Sequence, residues 1–175
     1  AIRDCVKQTW SEEVTQETEL LLMYAARSQL VKNVIQTALA NNKWVIGDRH
    51  DMSSVAYQGG GRGIDIETLT KLRKMTLGNF EPDVVQYLDV EPSEGLARAR
   101  GRGELDRIEL SGLSFFEKAR STYKMIVEAS DKAIQIDAMQ AMEAVHADVA
   151  NALETWFNTL STSKSAGKAN CAGKQ

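Results

Sequence analysis

Residues 44–63, WVIGDRHDMSSVAYQGGGRG, place the carboxylate of Asp48 beside the guanidinium of Arg49, directly after a short apolar run. A polar loop with Tyr57, Gln58, Gly59, Gly60, Gly61 and Arg62 follows. A strand that stops at such a pair suits the carboxyl end of a parallel sheet, where α/β proteins bind nucleotides. Arginine grips phosphate bidentately, and a neighbouring carboxylate can hold Mg²⁺, often through water. The same pair would also serve as an ion pair closing a turn. Tyr57 and Gln58 could bind a sugar or simply close the loop.

A second cluster, RARGRGELDR, sets Arg98, Arg100, Arg102 and Arg107 within one short stretch of a chain whose formal net charge is -3. Positive charge gathered on a mobile loop can neutralise a transferred phosphoryl group, whose chemistry is mostly positioning and charge stabilisation. The alternative is a solvated helical face neutralised by Glu104, Asp106 and Glu109. A third feature is Met23-Tyr24-Ala25-Ala26-Arg27, where Arg27 interrupts an apolar helix. A guanidinium there needs a partner, either a base carbonyl or a structural carboxylate. No G-x-x-x-x-G-K-[ST] loop occurs: Gly167-Lys168 and Gly173-Lys174 are followed by Ala and Gln. Neither His50 nor His146 has companions at metal-ligand spacing.

These residues need elements to position them. Leu20, Met23, Tyr24, Leu30, Val31, Val34, Ile35, Ala38 and Leu39 recur at helical spacing and predict one long helix over 15–40, ended by Asn41-Asn42. WVIGD, VVQYLDV and AIQIDA read as three short buried strands. Helices are expected over 65–77, stopping at Gly78, and from about Ser93 into the arginine cluster. Another should run from a capping box at Ser114 and Glu117 to about Ala129. The stripe Met142, Val145, Val149, Leu153, Trp156, Phe157 and Leu160 predicts the last. AIRDCVKQ also reads as helix. Residues 1–160 are expected to form one domain, with 161–175 a polar flexible tail.

The 175 residues carry 43% hydrophobic side chains, enough for a globular core, and the acidic balance excludes a general nucleic-acid binder. Cys5 and Cys171 imply no disulfide framework. No apolar run approaches the roughly 18 residues of a membrane span, so no membrane is expected and the cytoplasm is the default.

Taken together, LLLMYAARSQLV, ALANNKWVIGDRHDMSSVAYQGGGRGID, the run from NFEPD through VQYLDVEP, RARGRGELDRIE and IDAMQAMEAVHADV resemble the thymidylate kinase family over most of residues 16–157. The resemblance implies phosphorylation of dTMP to dTDP with ATP and Mg²⁺, by a homodimer with a three-layer, P-loop-kinase-like α/β fold. It implies that Arg49 binds the dTMP phosphate, Arg27 the thymine carbonyl, and that Ser54 faces the base. Tyr57 would sit against the deoxyribose, with Gln58 beside it, and Asp48 would organise Mg²⁺. Arg98, Arg100, Arg102 and Arg107 would form the lid, with Arg102 closing over ATP as a catalytic group alongside Arg49. Met23 stands where the family commonly has a phenylalanine on thymine. Its sulfur can contact a ring face with less geometric control.

The family also begins with a strand, a glycine-rich phosphate-binding loop, its helix and a second strand, none of which is found in this sequence. The resemblance therefore implies a parallel sheet truncated to about three strands flanked by helices. The WVIGD and VVQYLDV edges should lie apart, leaving backbone groups unpaired at about 1–3 kcal/mol each where buried. The alternative to a kinase is a catalytically inactive fragment that keeps dTMP binding or the dimer contact.

Overall fold

The structure, a computed structural model, describes residues 2–7 and 10–169. They fall into two compact units. The first runs to Glu81 and resumes over Glu91–Ala129; the second takes Pro82–Val90 and the chain from Ser130.

The first unit is helical. Helix α1 covers Ile2–Lys7. Helix α2, Gln16–Leu30, starts at Thr15, whose hydroxyl accepts from the Thr18 amide at 3.2 Å and so satisfies a free amide of the first turn. The predicted long helix is continuous but not uniform: Val31–Ile35 widens into a π-helical turn before α3, Gln36–Ala40. Helix α4, Asp51–Ser54, passes into a second π-helical segment, Val55–Gly61. Helix α5, Ile66–Leu77, is capped by Asp65, whose carboxylate accepts from the Glu67 and Thr68 amides at 2.9 and 2.8 Å. It ends at Gly78, where φ is +61° and a side chain would be strained.

Leu20, Tyr24 and Val31 of the first long helix lie at spacings of four and seven and meet Leu69 and Leu77 of α5. Ile35, Ile64, Leu72 and Phe80 close the rim of this core.

The expected strand WVIGD does not form. Residues 43–47 have no strand pairing, and Trp44, Val45 and Ile46 are 74%, 37% and 98% exposed. A strand is defined by its neighbour, and among the described residues the only ladder joins two other segments. In the second unit these are β1, Val85–Asp89, and β2, Ala133–Asp137, which run parallel with Val85 opposite Ala133 and Asp89 opposite Asp137. The chain is thus a helix-rich α/β protein with a two-stranded parallel sheet, one strand fewer than the sequence predicts.

Helix α6, Pro92–Gly101, begins with proline at its first position, where the missing N–H is harmless. Helix α7 covers Leu113–Glu128 and begins after Gly112, with no side-chain cap. The capping box expected at Ser114 and Glu117 is absent because Ser114 already lies inside the first turn. Helix α8, Met142–Ala169, half-buries Val145, Val149, Leu153 and Trp156, and the Gln86 amide ties β1 to it by donating to the Val149 carbonyl at 3.0 Å. Met142, Phe157 and Leu160 of the predicted stripe face solvent. The helix extends through the first part of the expected flexible tail; residues 170–175 lie outside the described residues.

The π-helical segment 55–61 lies flat on α7. A Cβ at Gly60 would collide with Thr122 and one at Gly61 with the Phe115 ring, while one at Gly59 would meet Leu69 Cδ1 at 2.9 Å. Only glycine permits this approach. Gly60→Ala and Gly61→Ala are each expected to destabilise the protein by about 1–3 kcal/mol through overpacking, read as a lower urea midpoint. Gly63→Ala, which meets nothing within 4 Å but sits at φ +79°, should show only the smaller backbone penalty. Equal midpoints for wild type and the Gly60 and Gly61 variants would contradict this packing.

Candidate functional site

The candidate site is built around one π-helical segment, Val55–Gly61. In the segment 55–61 the Arg62 amide donates to the Tyr57 carbonyl at 2.9 Å, an i to i−5 bond that widens the helix. This bulge follows α4 directly, so Ser54, Tyr57 and Gln58 are held by one short, over-determined stretch. Aromatic rings fix it from the α7 side. Tyr57 meets Phe115 at 5.7 Å, Phe116 at 6.1 Å and Tyr123 at 6.1 Å between centroids.

Arg49 reaches this group from the preceding loop. Its guanidinium lies over the Tyr57 ring at 5.3 Å. Its φ of +65° is the left-handed conformation that a side chain rarely adopts, and such strain persists where surrounding structure enforces it. Arg49 is solvent-exposed; desolvation where it packs on Tyr57 acts to lower its pKa, but Tyr57, Tyr123, Asp48 and Asp106 together raise it. Arg49 stays a cation.

Arg27, Arg62, Arg73, Arg98, Arg102, Arg107 and Arg120 each contact a carboxylate. Among the described residues, no carboxylate lies within ion-pairing distance of Arg49.

The open question over Arg27 has a structural answer. Its Nη1 donates to the Ser54 hydroxyl at 2.8 Å, stands 3.9 Å from Asp51, and its plane covers the Tyr24 ring at 5.1 Å. Burial is the chief influence and lowers its pKa. Met23 sits one turn before Arg27 on the same helix, half-buried. Ser54 and Gln58 are each 1% exposed. Gln58 spends an amide hydrogen on Glu19, at 2.9 Å.

Asp51 was not singled out by sequence, yet it organises this corner. It accepts from the Tyr24 hydroxyl at 2.8 Å, pairs with Arg73 Nε at 3.0 Å and faces Arg27. Burial first, then the Asp51 carboxylate, pushes the Tyr24 phenol well up. Tyr123 donates to the Ser53 hydroxyl at 2.6 Å, and burial chiefly raises its phenol to about 12. No local spacing signals Asp51, because its partners come from helices α2 and α5.

Of the arginine-dense stretch, Arg98 donates to Glu94 at 2.8 Å across one helical turn, the solvated-face arrangement. Arg100 is exposed. Arg102 is 75% exposed and meets Glu109 at 3.3 Å, while Arg107 turns inward to Glu19 at 2.7 Å. Asp48 is exposed beside Arg49. Among the described residues no group of three His, Cys, Asp or Glu side chains could hold a metal alone. One free carboxylate does suit Mg²⁺, which keeps much of its water and takes its other ligands from substrate phosphates.

The family model described as thymidylate kinase matches residues 1–149. The chain belongs to the thymidylate kinase family. It is 54% identical over 158 residues to a thymidylate kinase of Alteromonas mediterranea, covering 90% of this chain and 71% of that protein. It is 55% identical over 157 residues to a thymidylate kinase of Idiomarina loihiensis, covering 90% of this chain and 77% of that protein. The chain is therefore of a family of kinases, which transfer phosphoryl groups.

Two expectations follow from these buried charges. Asp51→Ala strands the Tyr24 hydroxyl, Arg27 and Arg73, and should cost about 3 kcal/mol in urea unfolding; a loss below about 0.5 kcal/mol, the range of ordinary surface changes, would contradict the hub. The second concerns acid. His50 is packed edge-on against Phe80 at 5.8 Å, and its Nε2 is buried with no hydrogen-bond partner among the described residues. Burial, then Arg27, holds its pKa below 6.5. The folded state thus resists the imidazolium, and stability should fall as pH drops below 6.5. His50→Leu should flatten that fall; an unchanged profile would assign it to other groups.

Proposed function

We propose that this chain binds dTMP and presents its phosphate for transfer from ATP, forming dTDP. The observation that carries this reading is Arg49: a strained, cationic side chain on an aromatic face, with no carboxylate in ion-pairing contact among the described residues. Arg27, Arg62, Arg73 and Arg107 each contact an acid, so an arriving dianion would find its counter-charge at Arg49.

In this reading Arg49 neutralises the acceptor phosphate and orients it, while Tyr57, held by the rings of α7, packs against the deoxyribose and leaves no room for a 2′-hydroxyl. Arg27 is fixed by Ser54 and Asp51 with its remaining donors free for a base carbonyl, and Met23 lies on the same helix face. Asp48 would hold Mg²⁺ through water, and that ion would supply charge neutralisation between the phosphates. Arg102, 75% exposed and paired with Glu109, would release that acid to reach ATP; pairs with one exposed partner hold weakly. Arg98 and Arg100 add positive potential.

Two finer points belong to the same proposal. Leu30 and Val34, one turn apart on the α2 side and 49% and 57% exposed, would cover each other in a homodimer. No helix of the described residues is long and apolar enough to cross a membrane, and the cytoplasm is the proposed compartment.

Calorimetric titration tests the reading. The chain should bind dTMP in preference to the ribonucleotide and to dCMP. Arg49→Ala should weaken dTMP by about 100-fold, the worth of a charge-assisted phosphate contact of about 3 kcal/mol. Its thymidine affinity should not change. Equal binding of thymidine and dTMP by the wild type would overturn the phosphate role of Arg49.

A further inference from the structure

Glu19 has no part in the mechanism above, yet it is among the most buried charged groups of the protein, 1% exposed on the first turn of α2. A lone carboxylate at that depth would cost several kcal/mol. Here both its oxygens are occupied. Oε1 accepts from Gln58 Nε2 at 2.9 Å and from Arg62 Nε at 3.4 Å. Oε2 accepts from Arg62 Nη2 at 3.3 Å and pairs with Arg107 Nη1 at 2.7 Å. Burial pushes its pKa up, but the bonds from Gln58, Arg107 and Arg62 outweigh it and hold the carboxyl below 4.5.

The three donors come from two places. Gln58 and Arg62 flank the glycines of the π-helical segment, and Arg62 also lies over the Phe115 ring at 4.6 Å. Arg107 belongs to the arginine-dense stretch. Both routes lead back to Arg49. Gln58 is next to Tyr57, on whose ring Arg49 rests, and Arg107 is next to Asp106, one of the groups that act on the Arg49 charge. Asp106 is itself fixed, its Oδ1 accepting from the Ile108 and Glu109 amides at 3.0 and 2.9 Å. A carboxylate outside the site thus ties the two segments that border it.

We propose that Glu19 is a positioning residue that locks the arginine-dense stretch to the Tyr57–Gln58 loop through Arg107, so that dTMP affinity depends on the Glu19–Arg107 pair. This rests on the dTMP-binding reading. A purely structural Glu19 would lower stability and leave affinity alone in whatever fraction stays folded; a positioning residue changes affinity, and does so non-additively with its partner.

The test is a double-variant cycle in the full chain with Glu19→Gln, Arg107→Gln and both together. The readouts are dTMP affinity by calorimetry and tryptic nicking at Arg98–Arg102, with folding checked by circular dichroism. Each single variant should weaken dTMP by about tenfold and the double variant scarcely more, with nicking several-fold faster in Glu19→Gln.

Unchanged affinity in the single variants, or a double loss equal to the product of the two, overturns the proposal. If Glu19→Gln does not fold, Arg107→Gln near the surface decides by the same affinity readout. If the wild type binds no dTMP, the dTMP reading fails separately and nicking decides: faster cleavage in Glu19→Gln supports the lock, an unchanged rate overturns it.

Discussion

The close approach of the segment 55–61 to α7 is the constraint on which the rest depends. Side chains at Gly60 or Gly61 would drive the two elements apart. With hydrogen there instead, the widened turn lies on Phe115 and Thr122, and three consequences follow together. Tyr57 meets the aromatic cluster of α7, Gln58 is driven inward to Glu19, and Arg62 lands over Phe115. The π geometry adds to this by pulling the Arg62 amide back to Tyr57, which aims successive side chains in directions that a regular helix would not allow.

Charge then completes what packing begins. Asp51 and Glu19 are both poorly accessible carboxylates, and each is surrounded by donors from distant parts of the chain. Such arrangements contribute little net stability compared with apolar packing, but removing one member leaves the others uncompensated. Their value is geometric. Asp51 fixes Tyr24, Arg27 and Arg73, and Glu19 fixes Gln58, Arg62 and Arg107. Arg49, on the Tyr57 ring, belongs to neither cluster, and among the described residues no carboxylate lies within ion-pairing distance of it.

Much of this was legible in the sequence, for reasons that differ by element. The helix over Gln16–Ala40, α5 with its Gly78 terminus, and α6 from its proline follow from periodicity and end signals, which are local. So do β1 and β2, short β-branched runs bounded by polar residues. WVIGD has the same composition and is not a strand, because pairing depends on a neighbour that local sequence does not encode. Ser114 resembles a cap, but the preceding Gly112 turn starts the helix earlier.

The DRH and YQGGGRG motifs mark the candidate site by residue type, and the resemblance to thymidylate kinases is supported by the family match. Glu19 and Asp51 were invisible, since an acid on a helix reads as solvated until the partners that bury it are known. The Glu19 partner of Arg107 is equally hidden from a local reading of the arginine-dense stretch.

Arg49, which among the described residues has no carboxylate within ion-pairing distance, is proposed to receive the acceptor phosphate. The most direct test of this role is the arginine Nε–Hε nuclear magnetic resonance spectrum of the chain titrated with dTMP. The Arg49 resonance should shift strongly and saturate with the binding isotherm, while those of Arg62 and Arg73, already held by Glu19 and Asp51, should scarcely move. An Arg49 resonance that does not respond to saturating dTMP, or a response confined to Arg98, Arg100 and Arg102, would contradict the account.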